Sequence, residues 1–216
     1  MLWQIYTLPV SIQPPQCLHS FFTPCSSFRR SRKKLQAEVD SVIGRERLPT
    51  VKYRRELPYT NAVWKEALRF TPAVPLALPR CSSEDQIVYG YFIPKGSVIN
   101  PHFGSMLNDP KIWGDPKVFR PERFLSPDAG ALPDPTVLVF GFRTRMCPGM
   151  HFADRTRFHL AVCVMALFNV SPLPGQTVPW YEEVEYTKHS SDCPWYSNMP
   201  SLLETKKQST FWLHSR

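Results

Sequence analysis

Apolar residues at helical spacing first appear after about residue 30. In SRKKLQAEVDSVIG, Leu35, Val39 and Val42 share one stripe, charged residues lie opposite, and Gly44 follows the last apolar position. A stripe of this kind that ends at a glycine is typical of an amphipathic helix. Residues 1–30 show neither a helical nor a strand period, so we predict an irregular segment there.

A second amphipathic helix is predicted over YTNAVWKEALRF, which follows a link with two prolines and ends before Pro72. Its predicted apolar face consists of Ala62, Val63, Ala67 and Phe70. Glu66 and Arg69 are three residues apart and therefore lie on the same side of this helix. On their own, such neighbours are usually a solvent-exposed ion pair that contributes less than ~1 kcal/mol.

After this helix, the sequence predicts only short strands and a short helix. Two β-branched segments at 86–89 and 97–100, separated by a turn-like stretch at 94–96, predict a small antiparallel β region. A short helix is predicted over 102–107. A proline-rich loop follows, with aromatic anchors at Trp113, Phe119 and Phe124.

A polar gap, SPDAGALPDP, separates that loop from the next cysteine. The apolar run HFADRTRFHLAVCVMALF then predicts a long helix to about residue 168. Beyond it, EEVEYT is typical of a strand, and after residue 189 no period is evident.

Composition changes this picture little. The length of 216 residues and the 43% hydrophobic content fit one globular domain, and the 23 prolines predict long irregular connections. The formal charge of +8 could suit nucleic acid, an anionic membrane surface or an acidic redox partner. Because no nucleic-acid-binding motif accompanies the charge, we predict no nucleic-acid partner. No run of ~18 apolar residues is present, so we predict no membrane anchor in this chain, and no signal peptide.

The six cysteines are spaced too irregularly for a CxxC motif, and the six histidines form no HExxH pair. We therefore predict free thiols rather than a disulfide scaffold or a zinc site. Cys147 differs from the others because it lies in FGFRTRMCPG, directly before the long helix. The partial positive charge of a helix start favours an anion such as a thiolate, and Gly149 leaves room for a flat partner. This arrangement suits an axial iron ligand; a buried structural cysteine is the alternative.

The stretch FGFRTRMCPG resembles the haem-binding loop of the cytochrome P-450 family, FxxGxRxCxG. Phe140, Arg145, Cys147 and Gly149 match, whereas Arg143 stands where the family has glycine. The family glycine permits a close approach to the porphyrin or an unusual backbone angle, and whether Arg143 leads to weak or strained haem binding stays open.

The order KEALRF, PERF and cysteine loop resembles the same family, as do GYFIPKGSVI and WGDPKVFRPERF between them. The resemblance covers about residues 33–186. It implies the C-terminal, haem-loop half of that family's fold, mainly α with a small antiparallel β region. It also implies that Glu66, Arg69 and Arg123 form a structural triad that holds the cysteine loop and performs no chemistry itself.

The resemblance further implies a cofactor site for haem b (iron protoporphyrin IX). Cys147 would be the axial iron ligand, Arg145 and Arg80 would pair with the propionates, and Phe140 would pack on the thiolate side near Gly149. The implied domain organisation is an irregular segment at 1–30, a partial family domain at 31–187 and a divergent tail at 188–216.

By resemblance, the activity is that of a haem-thiolate monooxygenase, an oxidoreductase that inserts one oxygen atom from O₂ into an apolar organic substrate. A flavoprotein reductase would supply electrons, and the loop 73–78 is a candidate part of the substrate pocket. Intact relatives are often associated with the endoplasmic-reticulum membrane and face the cytosol, whereas the localisation of this chain is not predicted.

The oxygen-activating signature [AG]Gx[DE]T is absent from the sequence, and relatives are usually more than twice as long. We therefore expect a truncated chain, and three hypotheses stay open. The chain is a monooxygenase, an inactive fragment or incorrectly predicted gene product, or a haem-binding protein without enzymatic activity.

Overall fold

The computed structural model describes residues 21, 24–25, 28–44, 47–72, 74–142, 146–170 and 203–205. The α-helices of this part are α1 (Arg29–Ile43), α2 (Pro58–Phe70), α3 (Phe103–Leu107), α4 (Pro110–Trp113), α5 (Pro135–Phe140) and α6 (Met150–Leu167). Short 3₁₀ helices span Val51–Glu56, Pro121–Phe124 and Pro127–Ala131. The strands are β1 (Arg80–Cys81), β2 (Gln86–Val88), β3 (Tyr91–Ile93), β4 (Val98–Ile99), β5 (Phe168–Val170) and β6 (Leu203–Thr205). The predicted mainly α fold with a small antiparallel β region is confirmed.

The main core lies between α1, α2 and α6. Helix α1 buries Ser31, Leu35, Val39 and Ile43, which recur every fourth residue along one ridge. The predicted stripe position Val42 is partly buried and packs against this core, and Ile43 beside it is fully buried. Three successive steps of four residues lead from Ser31 to Ile43, which the predicted stripe did not include.

Helix α2 passes through the centre of this core. The predicted apolar positions are all buried, and Trp64 and Leu68 are buried with them. Leu57 precedes the first turn of α2, and its apolar side chain cannot cap the helix. The carboxylate of Glu38 on α1 accepts hydrogen bonds from the backbone N–H groups of Tyr59 and Thr60 at 2.8 and 2.7 Å. One helix thus caps the other, which fixes their relative position.

The small β region forms two separate antiparallel pairs among the described residues, β2 with β3 and β1 with β4. The two predicted segments, 86–89 and 97–100, therefore belong to different antiparallel pairs. Tyr89 and Gly90 both have positive φ, 50° and 84°, so a two-residue turn folds the chain back at once. Segment 97–100 instead contributes β4, which pairs with Arg80–Cys81.

A second, smaller core lies under the cysteine loop. Phe103, Leu107 and Trp113 are buried there, and Leu138, Val139 and Phe142 pack against them. The predicted helix at 102–107 is confirmed as Phe103–Leu107. Of the predicted aromatic anchors, Trp113 and Phe119 are buried and Phe124 is partly buried.

Two features complete the described part. Helix α5 was not predicted; it begins after Asp134, whose side chain accepts the backbone N–H of Thr136. Helix α6 is followed directly by β5, which pairs with β6. The predicted strand EEVEYT lies outside the described residues. Among the described residues, no helix combines the length and the apolar character needed to cross a membrane.

Candidate functional site

A fully buried carboxylate lies at the centre of the predicted triad. Arg69 donates from Nε to Glu66 Oε2 and from Nη2 to Glu66 Oε1, each at 2.9 Å. Arg123 places Nε 3.2 Å from Glu66 Oε2, an ion pair whose N–H is not aligned for a hydrogen bond. The backbone N–H of Arg120 also donates to Glu66 Oε1, at 2.9 Å. The structure thus brings Glu66, Arg69 and Arg123 together as one cluster.

Two guanidinium groups share this single carboxylate, so the cluster carries an excess positive charge in the interior. Backbone carbonyls offset it. Arg69 donates to the carbonyls of Leu107 and Pro116, both at 2.9 Å. Arg123 donates to three more carbonyls, those of Trp113, Asp115 and Val118. Burial lowers the pKa of Arg123, and the charge of Glu66 opposes that shift. The cluster therefore clamps the irregular chain between α3 and PERF onto α2.

The helix before the cysteine loop is tied to α2 as well. Lys65 Nζ lies 2.8 Å from Asp134 Oδ2, and Asp134 also caps α5 through the N–H of Thr136. Burial raises the pKa of Asp134, but the hydrogen bonds and the charge of Lys65 outweigh it, so the pKa lies below the usual carboxyl value. Because α5 ends at Phe140, this contact sets where the loop begins.

The Cys147 thiol is exposed on the loop between α5 and α6. Gly141, with φ of 90°, turns the chain out of α5. The backbone N–H of Cys147 then donates to the carbonyl of Phe140 at 2.8 Å, and the N–H of Met150 donates to the carbonyl of Cys147 at 3.1 Å. The loop is therefore closed on itself and runs straight into the first turn of α6. A Cβ added at Gly149 would lie 3.9 Å from Cys147 Sγ, so glycine leaves that side of the sulfur open.

Arg80 lies against the same loop. Its guanidinium carbon is 5.9 Å from the centre of the Phe142 ring, which packs in turn on Phe103 at 5.8 Å. Arg80 of strand β1 thus places a positive charge beside the cysteine loop, where that loop packs on the second core. A cation over an aromatic face is favourable in itself, which helps to hold Arg80 there.

Sequence reasoning missed a further contact to α6. Asp154 Oδ1 accepts the indole N–H of Trp64 at 2.8 Å, and Arg54 forms two hydrogen bonds with both carboxylate oxygens of Asp154. These partners are separated by 90 and 100 positions in the chain. The stretch HFADRTRF places Asp154 next to Arg155 and near Arg157, and this local sequence gives no indication of its distant partners.

Some predicted residues cannot be placed. Arg143 and Arg145 lie outside the described residues, as does Ala73 in the candidate pocket loop. Cys163 lies within α6, half-buried, with its sulfur 3.7 Å from His159 Nε2. Within the described ranges, no group of three or more His, Cys, Asp or Glu side chains is placed to hold a metal ion.

Comparisons with known proteins agree with this arrangement. A family model described as cytochrome P-450 matches residues 25–190. The chain is 43% identical over 176 residues to cytochrome P-450 monooxygenase 208 of Postia placenta, a match that covers 81% of this chain and 34% of that protein. It is 39% identical over 162 residues to the O-methylsterigmatocystin oxidoreductase of Aspergillus flavus, which covers 74% of this chain and 31% of that protein.

The fold is also similar to a solved structure of a zebrafish cytochrome P-450 with abiraterone. The TM-score is 0.68 at 28% sequence identity, over 76% of this chain and 39% of the zebrafish chain. The chain thus spans about a third of the length of the curated relatives that it matches.

Proposed function

Because the chain belongs to the cytochrome P-450 family, we propose that it supplies the thiolate side of a haem-thiolate monooxygenase. In this proposal, the reaction inserts one oxygen atom from O₂ into an apolar organic substrate. The family implies a haem-iron cofactor, small-molecule substrates and redox partners. The single observation that carries the proposal is the exposed Cys147 thiol directly before α6, in a chain whose Glu66, Arg69 and Arg123 form one buried cluster.

The residues present fit haem b, and Cys147 would hold its iron through the sulfur. A thiol ligand must reach the iron without a side chain beside it, and Gly149 leaves the sulfur open. The apolar neighbours Met146 and Phe152 are 39% and 71% exposed, which suits contact with a porphyrin better than contact with water. Arg80, against the cysteine loop, could pair with one propionate, and Arg145 is proposed for the other.

When bound, a thiolate-ligated haem supplies O₂ binding and the electron density that favours O–O cleavage. The chain's own residues prepare that ligand. Cys147 lies directly before the first turn of α6, whose start carries a partial positive charge. Phe140, half-buried at the start of the loop, contributes an apolar wall that restricts water near the sulfur. The Glu66 cluster takes no part in proton or electron transfer; it keeps the loop's support rigid.

The proposed substrate contact is the loop after α2. Leu76 and Leu78 are 61% and 59% exposed, and Ala77 between them has a positive φ of 53°. A left-handed alanine costs conformational energy, so the surrounding structure must hold it. The carbonyl of Pro75 accepts the N–H of Gly104 at 2.9 Å, which ties this loop to α3. Two exposed leucines on a held loop suit an apolar small molecule. A flavoprotein reductase is proposed as the electron donor.

The test is haem uptake by the full chain, followed by the spectrum of the reduced, carbon-monoxide-bound form. We expect a thiolate-type Soret band in the wild-type chain and in Cys81→Ser, because Cys81 is also exposed but lies on β1. We expect the band to be lost in Cys147→Ser. Absence of haem uptake, or an unchanged band in Cys147→Ser, would contradict the proposal.

Measuring product formation distinguishes an enzyme from a protein that only binds haem. With a flavoprotein reductase and NADPH, a monooxygenase converts an apolar substrate to a product that contains one atom of ¹⁸O from ¹⁸O₂. Thiolate-type haem binding without labelled product would instead support a haem-binding protein without enzymatic activity.

A further inference from the structure

The carboxylate of Asp154 lies on the second turn of α6, seven residues after Cys147. Oδ2 accepts Arg54 Nη1 at 2.5 Å, and Oδ1 accepts both Arg54 Nη2 at 3.2 Å and Trp64 Nε1 at 2.8 Å. The two charged side chains are only 27% and 18% exposed, for Arg54 and Asp154 respectively. A bidentate guanidinium contact together with an indole donor fixes both the orientation of the Asp154 carboxylate and its distance from the two donors.

The donors themselves are rigidly held. Arg54 also donates from Nε to Asn61 Oδ1 at 3.0 Å, and the Asn61 amide returns a hydrogen bond to the Arg54 carbonyl at 2.6 Å. The Trp64 ring is buried, at 1% exposure, and meets Phe158 edge-on at 6.3 Å. Arg54 Cζ lies 4.4 Å above the same Phe158 ring, one turn after Asp154 on α6.

The backbone carries this constraint to the cysteine. The N–H of Ala153, next to Asp154, donates to the Gly149 carbonyl at 2.8 Å, and the N–H of Met150 donates to the Cys147 carbonyl. A helix that cannot rotate or slide at Asp154 therefore cannot do so at its first turn either. Trp64 lies two residues before Glu66, so one short stretch of α2 holds both the triad and the start of α6.

We propose that Asp154 is a positioning residue for Cys147: its contacts with Arg54 and Trp64 set the rotation and depth of α6, and thereby where the sulfur points. The proposal rests on the proposed haem-thiolate function, since only a ligand needs its direction held to this degree. Asp154 does not touch the cofactor and acts through the first turn of α6.

The first test needs no haem. Asp154→Asn keeps the shape of the side chain but presents an amide N–H₂ to donors. The matched control is Glu122→Gln, the same change at the ion pair that Glu122 forms with Lys34, with side chains 44% and 43% exposed. Measured by hydrogen exchange on the full chain, the amides of residues 147–153 should exchange roughly tenfold to a hundredfold faster in Asp154→Asn. The exchange rates of these amides should be unchanged in Glu122→Gln.

The second test is spectroscopic. In the haem-loaded, reduced, carbon-monoxide-bound chain, Asp154→Asn should shift part of the Soret intensity from the thiolate-type band to a band without thiolate ligation. Trp64→Phe removes the indole donor and replaces the buried two-ring side chain by a smaller aromatic ring, and it should produce a shift of the same kind. Glu122→Gln should match the wild-type chain. A purely structural contact would lower stability without altering the ratio of the two bands.

The outcomes separate the two proposals. Unchanged exchange over 147–153 in Asp154→Asn, or equal effects of Glu122→Gln, would overturn the positioning role. If Asp154→Asn does not fold, Trp64→Phe decides by the same two measurements. If the wild-type chain takes up no haem, the proposed function fails, whereas the exchange measurement still decides whether Asp154 holds the start of α6.

Discussion

Replacing Glu66 by glutamine tests the buried cluster most severely. The carboxylate is fully buried, accepts three hydrogen bonds from Arg69 and Arg120, and lies within ion-pair distance of Arg123. Glutamine has nearly the same shape but no charge. Its amide N–H₂ would also face a guanidinium donor or the Arg120 N–H. Two buried cations would then have only neutral partners, the backbone carbonyls and one amide oxygen.

Removing one partner of a buried ion pair typically costs ~3–5 kcal/mol, because the remaining charge stays desolvated. A small domain is stable by ~5–15 kcal/mol, so Glu66→Gln should remove a large part of the free energy of unfolding. The cost belongs to the stranded guanidinium groups. We therefore expect Glu66→Gln combined with Arg69→Met to cost less than the sum of the two single variants.

The neighbouring residue supplies the control. Lys65 pairs with Asp134, but the two side chains are 39% and 40% exposed. Loss of an exposed pair costs ~0–1 kcal/mol, so Lys65→Met should differ little from the wild-type chain. Urea unfolding followed by tryptophan fluorescence measures both variants, because Trp64 and Trp113 are buried in the two cores. Equal costs for Glu66→Gln and Lys65→Met would refute the view that burial gives the cluster its energetic weight.

Three further predictions follow from single contacts. Glu38→Gln removes the charged acceptor at the start of α2 and should cost ~1–3 kcal/mol in urea unfolding; no loss would show that water caps the helix equally well. The pKa of Asp134 is lowered in the folded state. Asp134 therefore stabilises the fold above about pH 4, and this stabilisation is lost as the pH falls through the folded-state pKa. Between about pH 5 and pH 3 the wild-type chain should lose up to ~1 kcal/mol more than Asp134→Asn, and parallel pH curves would contradict this. Burial raises the pKa of the Cys25 thiol, so native-state alkylation mapped by mass spectrometry should modify the exposed Cys81 and spare Cys25; equal labelling would show that the core opens readily.

Local pattern was enough for the long elements and failed where distant contacts decide. Helices α1 and α2 follow from their apolar spacing, although the buried ridge of α1 also includes Ile43, which the predicted stripe left out. The sequence did not show which strands pair, because Tyr89, an unlikely turn residue by type, adopts a positive φ beside Gly90. A bulky aromatic in that conformation is rare, so composition could not indicate the turn.

The candidate site shows the same difference between what local sequence motifs indicate and what distant contacts decide. Glu66, Arg69 and Arg123 could be named through family resemblance, and the structure brings them together. The sequence could not show that five backbone carbonyls complete the cluster, since those groups lie at the ends of α3 and α4 and in the irregular chain after them. Nor could it pair Asp154 with Arg54 and Trp64 across about a hundred positions. Contacts of that range depend on the packed helices and not on any local motif.

The central claim is that Cys147 binds the haem iron. X-ray absorption at the iron edge of the haem-loaded chain measures that bond directly. We predict one sulfur scatterer in the first coordination shell of the wild-type chain and of Cys81→Ser. In Cys147→Ser, this sulfur should be replaced by an oxygen or nitrogen scatterer. A first shell without sulfur in the wild-type chain, or with sulfur retained in Cys147→Ser, would contradict the claim.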